Sequence, residues 1–229
     1  MNAKSWKEWA CIAGIVNGIE SVALTTIAMF FYTGGSIFNN TEAHYDFFNN
    51  FFSDLGRPSG FAGQNNLVPS TLFILTFCIS AVCVFLFSLA FPGVFATNPK
   101  GRRLAIISSI CGIISTPFLF AIGFVPEGSP NNAHTLLSGI ALLFAGIEIF
   151  IATAAIWKVT EYPRAIAWVG IFAWCFGWCF VVTGLILGAS TPPLLMLNVT
   201  MQKIVEYTLC LWSIMIGWIT LRVYKRANN

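Results

Sequence analysis

The sequence predicts an all-α polytopic membrane protein: one domain of six transmembrane helices, with an amphipathic helix lying at the outer interface. Three observations carry that reading. Of 229 residues, 57% are hydrophobic and only 9% charged, against about 25% charged in an ordinary soluble domain. The mean hydropathy of +0.77 leaves too little polar surface to shell an apolar core, so the solvent must itself be largely apolar. Six apolar stretches, at 9–32, 67–91, 103–125, 134–157, 165–188 and 201–223, are each long enough to cross about 30 Å of hydrocarbon at about 1.5 Å per residue. Runs such as Leu72 to Phe91 are apolar on every side, which suits helices and not the alternating strands of a barrel. No long hydrophilic insertion is left to form a soluble catalytic domain.

The first stretch follows Lys4 and Lys7 but is too long for a signal h-region, contains Glu20 and leads to no small-residue cleavage site, so it reads as a retained span. Gly14 and Gly18 give it a GxxxG face for close packing. The outer segment 33–66 follows. Within it Phe47, Phe48, Phe51, Phe52 and Leu55 recur at helical spacing, predicting the interfacial helix, which Gly56 and the turn Arg57-Pro58-Ser59-Gly60 would end. The second span is uniformly apolar. The third carries the small pair Ser108 and Gly112, and Pro117 as a point of kinking. A Pro/Gly-rich turn from Gly123 to His134 leads to the fourth span, with Glu148 near its middle. The fifth is crowded with Trp168, Trp174 and Trp178, which either face lipid or stack on a flat ligand, and carries a second GxxxG pair, Gly184 and Gly188. The sixth begins with Gln202, Lys203 and Glu206, the last two read as a local ion pair.

Of the twelve Lys and Arg, ten fall on one side if the termini are cytoplasmic: Lys4, Lys7, Lys100, Arg102, Arg103, Lys158, Arg164, Arg222, Lys225 and Arg226. By the positive-inside rule both termini are cytoplasmic and segments 33–66, 126–133 and 189–200 face out. The sequons Asn39-Asn40-Thr41 and Asn198-Val199-Thr200 fall in two of those outer segments. The seven cysteines all lie inside spans and read as small packing residues; Cys175 and Cys179, at i and i+4, lack His partners for a metal.

Polar residues in such a chain need a reason. An intramembrane carboxylate costs about 2.5–3.5 kcal/mol on the insertion scale, and Glu20, Glu148 and Glu206 each incur that cost. They read either as a relay for protons or cations or as hydrogen-bonded packing residues. At the outer face Ser53, Asp54 and His134 offer a nucleophile, an orienting acid and a base for acyl or phosphoryl transfer. Asn66, Glu127, Phe51 and Phe52 are placed to bind a ligand beside them. His44, Asp54, Glu127 and His134 form an alternative zinc set, although no resident metal or cofactor is expected. Without such chemistry these groups make a structural or ligand-binding network.

The motif Ser53-Asp54-Leu55-Gly56, a nearby Asn65 or Asn66, and Gly123-Phe124-Val125-Pro126 followed by His134 occur in order on one membrane face. This pattern resembles the six-span family known as domain of unknown function 998, over residues 10–222, and is distantly similar to Frag/DRAM-type membrane proteins. The resemblance implies a lipid-related role centred on Ser53, Asp54 and His134. It departs from the family pattern in that Glu127 opens a longer Ser-Pro-Asn-Asn turn.

Three functions are therefore in competition. One is an outward-facing polar chamber that binds, and on one reading modifies, a lipid headgroup. Another is a non-enzymatic subunit of a larger membrane assembly or homo-oligomer. The third is a small transporter or proton pathway. No phosphate-binding Gly-rich loop, HExxH, CxxC or basic-aromatic surface is present, which argues against a nucleotide enzyme and a nucleic-acid partner.

Overall fold

The computed structural model describes residues 5–159 and 161–227. Six helices cross the length of the molecule: α1 Trp6–Phe31, α2 Leu67–Ala90, α3 Pro99–Phe124, α4 Ala133–Ile156, α5 Arg164–Leu187 and α6 Pro192–Ala227. All six are long and apolar enough to span a membrane. The fold is thus the all-α six-helix bundle read from the sequence. With an even number of antiparallel crossings, both ends of the described chain lie at one end of the bundle, opposite the 33–66 loop.

Each helix packs against its neighbours in sequence, and α6 closes back on α1, so the bundle is a ring. Large apolar side chains such as Phe30, Phe85, Ile110, Leu136, Trp168, Leu185 and Trp218 point outward, as expected where the surrounding solvent is hydrocarbon. Inside, two apolar clusters close the ring. Tyr32, Phe52, Leu55, Phe73 and Ile122 pack at the loop end, and Phe91, Phe95, Ile156, Tyr162 and Ile216 at the termini end.

The α1–α6 seam explains why small residues sit where they do. A Cβ on Gly18 would strike the carbonyl of Cys210, and one on Gly217 would lie 2.9 Å from the carbonyl oxygen of Cys11. At this spacing Ser213 Oγ donates to the Gly14 carbonyl at 2.8 Å, and Asn17 Nδ2 donates to Ser213 Oγ at 3.1 Å. Gly18→Val is therefore expected to cost about 1–3 kcal/mol through overpacking, read as a lower thermal midpoint in detergent. Gly139→Ala, inside α4 where a Cβ meets nothing within 4 Å, serves as the control and should leave the midpoint unchanged or slightly raised.

Two expectations are corrected. The interfacial helix does not form: the segment holds one short 3-10 helix, Phe52–Gly56, preceded by turns. Asp46 Oδ1 accepts from the backbone N–H of Phe48 at 2.8 Å and Asn49 at 3.2 Å, and Asn50 Oδ1 accepts from the Asp46 N–H at 2.9 Å. These side chains outcompete helical backbone bonds, so Phe47 and Phe48 stay exposed while Phe52 is buried. The second correction concerns residues 189–200, most of which are helix. Pro192 opens α6, and the sequon residue Asn198 is buried, its Nδ2 donating to the carbonyls of Gly188 and Leu194.

Candidate functional site

Between the two apolar plugs the ring encloses a chamber of about 240 Å³. Its polar wall arises from stripes at helical spacing, since residues four apart share a helix face. Asn17, Ser21 and Thr25 come from α1, Thr76 and Ser80 from α2, His134, Ser138 and Glu148 from α4, and Gln202, Glu206 and Ser213 from α6. Ser53 and Phe52 close the loop end. Among the described residues no Lys or Arg lines the space.

Acceptors are in excess along this wall. Glu148 Oε1 receives only a long 3.5 Å bond from Ser88 Oγ, and Glu206 hydrogen-bonds to no described residue. Glu20 stands behind the wall, its Oε1 accepting from Ser80 Oγ at 3.0 Å and Ser21 Oγ at 3.2 Å. Its Oε2 is buried without a partner, as is Oδ1 of Asn17. A buried acceptor left unsatisfied costs about 1–3 kcal/mol. The chamber is therefore chemically suited to a guest that donates hydrogen bonds and carries positive charge.

A lid made from the 33–66 loop covers the chamber. The Phe52 N–H donates to Gln202 Oε1 at 2.9 Å. Lys203 Nζ donates to the Asn50 carbonyl at 2.5 Å and sits 5.0–5.3 Å from the ring centres of Phe47, Phe52 and Tyr45. Asn50 Nδ2 donates to the Gly35 carbonyl at 2.8 Å and to Asp54 Oδ2 at 3.1 Å, and the Phe51 N–H donates to the same oxygen at 2.9 Å. Asn66 knits the loop ends, accepting from Thr33 and donating to the carbonyls of Arg57 and Leu55.

The sequence-derived candidates separate on this geometry. Ser53 and His134 share the chamber wall, but Asp54 turns away into the lid. His134 Nδ1 donates to the Val125 carbonyl at 2.6 Å, and Nε2 faces Glu127 Oε2 at 3.5 Å. Both ring nitrogens are thereby engaged away from Ser53, and the three residues do not form a relay. The zinc set fails to gather, with His44 exposed, and among the described residues no three His, Cys, Asp or Glu converge. Phe52 lines the chamber whereas Phe51 does not, and Asn66 and Glu127 hold loops together instead of facing it. Lys203 serves the lid instead of pairing with Glu206. The residues that sequence reasoning passed over are the wall hydroxyls of the helices and Asn50; the i, i+4 polar stripes Asn17/Ser21/Thr25 and Thr76/Ser80 were the available signal.

Burial pushes the Asp54 carboxyl up to about 6, against the donors of Asn50 and Phe51 and the charge of Arg57, while Glu127 adds to the rise. Tyr32 and Tyr45 face it as well. The closed lid holds that proton more tightly than the unfolded chain, whose ordinary value is near 3.8. Lid stability is then greatest below that value and is lost as pH rises through about 6. The protection factors of residues 44–56, which correct for the intrinsic pH dependence of amide exchange, should accordingly rise between pH 7 and pH 5. Asp54→Asn, which keeps an acceptor for both donors, should abolish that dependence while leaving the fold intact.

Comparison with protein-family models, curated proteins and solved structures finds no match to this chain.

Proposed function

We propose that this integral membrane protein uses the chamber to bind a lipid headgroup, and that the headgroup is an amine or similarly donor-rich, cationic group. The observation that carries the reading is the excess of acceptors: Glu148 and Glu206 on a wall without a basic residue, with the unpartnered Oδ1 of Asn17 beside them and Oε2 of Glu20 behind. An anionic phosphate would meet carboxylates there and no countercharge. Binding, not bond chemistry, is what the arrangement favours, because the nitrogens of His134 are engaged away from Ser53. The resemblance to domain of unknown function 998 supports the same lipid-related role, its motif residues Ser53, Asp54 and Asn66 building the lid and its seat. We place the termini in the cytoplasm on the strength of the flanking Lys and Arg, which makes the lid face outward.

Native mass spectrometry of protein released from mixed-lipid nanodiscs tests this. Amine-headed lipids without net negative charge should be retained over anionic phospholipids. Equal retention of both would contradict the reading. A second reading, a proton or cation pathway, is favoured by Glu148 and Glu206 sharing one wall. It requires both apolar plugs to open. Proteoliposomes loaded with a pH-sensitive dye would then show acidification that depends on Glu206, whereas a binding protein shows none.

A further inference from the structure

We infer that the chain has a second, apolar site, a groove between α4 and α5 that takes the hydrocarbon tail of the amphiphile whose head occupies the chamber, so that the ligand class is a long-chain amine. This rests on the reading of the chamber given above. The groove has a volume of about 240 Å³ and is walled mainly by apolar side chains of α4, α5 and α6, Trp174 and Trp178 among them. Leu142, Ala145, Ile149, Phe180 and Leu209 line both the groove and the chamber, so the two spaces adjoin, and only these side chains stand between a tail in one and a head in the other.

Glycines keep this groove open. A Cβ on Gly139 or Gly146 would meet nothing within 4 Å, and one on Gly177 would meet only Val205 Cγ1 at 4.0 Å. These positions are the opposite of Gly18 and Gly217, where the glycine lets two backbones touch. Here the missing side chains leave space instead, in the loosest of the six seams of the ring. An unfilled apolar slot forfeits dispersion contacts along its lining, and Leu143 and Trp178, both exposed, place its mouth on the face that meets lipid. Hydrocarbon is what surrounds that mouth. Charge decides the rest: a tail in this groove delivers its head to Glu148 and Glu206, and those acceptors select an amine over a phosphate.

Binding of radiolabelled hexadecylamine and butylamine to the detergent-purified full chain tests the inference, together with crosslinking by hexadecylamine carrying a mid-chain diazirine. Hexadecylamine should bind at least tenfold more tightly than butylamine, and the diazirine should label α4 and α5 near Gly146 and Trp178. Gly146→Leu and, independently, Gly139→Leu should weaken hexadecylamine at least tenfold and leave butylamine unchanged, which also shows that the variants fold. Equal binding of both amines, with no effect of the leucines, would overturn the groove and leave the chamber reading standing. Hexadecylamine binding that survives Glu148→Gln and Glu206→Gln would overturn the inference by detaching tail from head, and would overturn the chamber reading with it. Binding of neither amine would overturn both. Dimerisation that Gly146→Leu abolishes would assign the groove to a second copy of the chain and likewise overturn the inference.

Discussion

Replacing Glu148 and Glu206 together by Gln is expected to weaken amine binding by at least 100-fold while leaving the protein as stable as before or more so. Each carboxylate offers a charge-assisted bond of about 1.5–3 kcal/mol to a bound ammonium. Gln keeps the shape and one acceptor but loses the charge. Stability moves the other way, because a carboxylate inside a membrane costs about 2.5–3.5 kcal/mol that an amide largely avoids. Loss of binding with a raised thermal midpoint identifies groups kept for a ligand. A lowered midpoint with binding intact would instead make them packing residues, since Glu148 also neighbours Ser88 and Gly112 across the α2–α3–α4 contact.

Lys203→Met carries the second large effect. Lys203 is 2% exposed, and the partners of its ammonium are the Asn50 carbonyl and the rings of Tyr45, Phe47 and Phe52. A hydrogen bond from a charged donor contributes about 1.5–3 kcal/mol, and a desolvated cation–π contact about 2 kcal/mol. These terms overlap and are not additive, and burying the charge offsets part of them. A net loss of about 2–4 kcal/mol in lid docking is the expectation. Hydrogen exchange of residues 44–56 should accelerate by roughly 30- to 1,000-fold, as that free energy implies, with protection in α2 and α4 unchanged. Tyr45 Oη, which also donates to the Asn50 carbonyl at 3.0 Å, keeps the loop from being wholly released.

How much of this was legible in the sequence depends on which force decides each feature. The helices were readable because a lipid solvent demands long apolar runs, and the predicted spans at 67–91, 134–157 and 165–188 lie within a residue or so of α2, α4 and α5. The start of α6 was not, because Pro192-Pro193 and polar Asn198 look like loop, although proline suits the first turn of a helix. The 44–56 segment misled in the other direction: its aromatic spacing suggested a helix, but Asp46 and Asn50 spend their side chains on local backbone bonds. For the site, the chamber positions of Ser53, His134, Glu148 and Glu206 could be anticipated from polar residues at the outer end and middle of the spans. The bond from Lys203 to Asn50 could not, since it joins residues 153 apart in sequence. Nor could the α4–α5 groove, which exists because three glycines leave room, and composition alone does not distinguish such glycines from those that bring helices together.

The most direct test of the central claim is a cryo-EM structure of the full chain in lipid nanodiscs with hexadecylamine present. Density is expected inside the ring, with the head between Glu148 and Glu206 and under the lid formed by Phe52 and Ser53. A chamber filled by its own side chains, with amine density confined to the outer surface of the bundle, would contradict it.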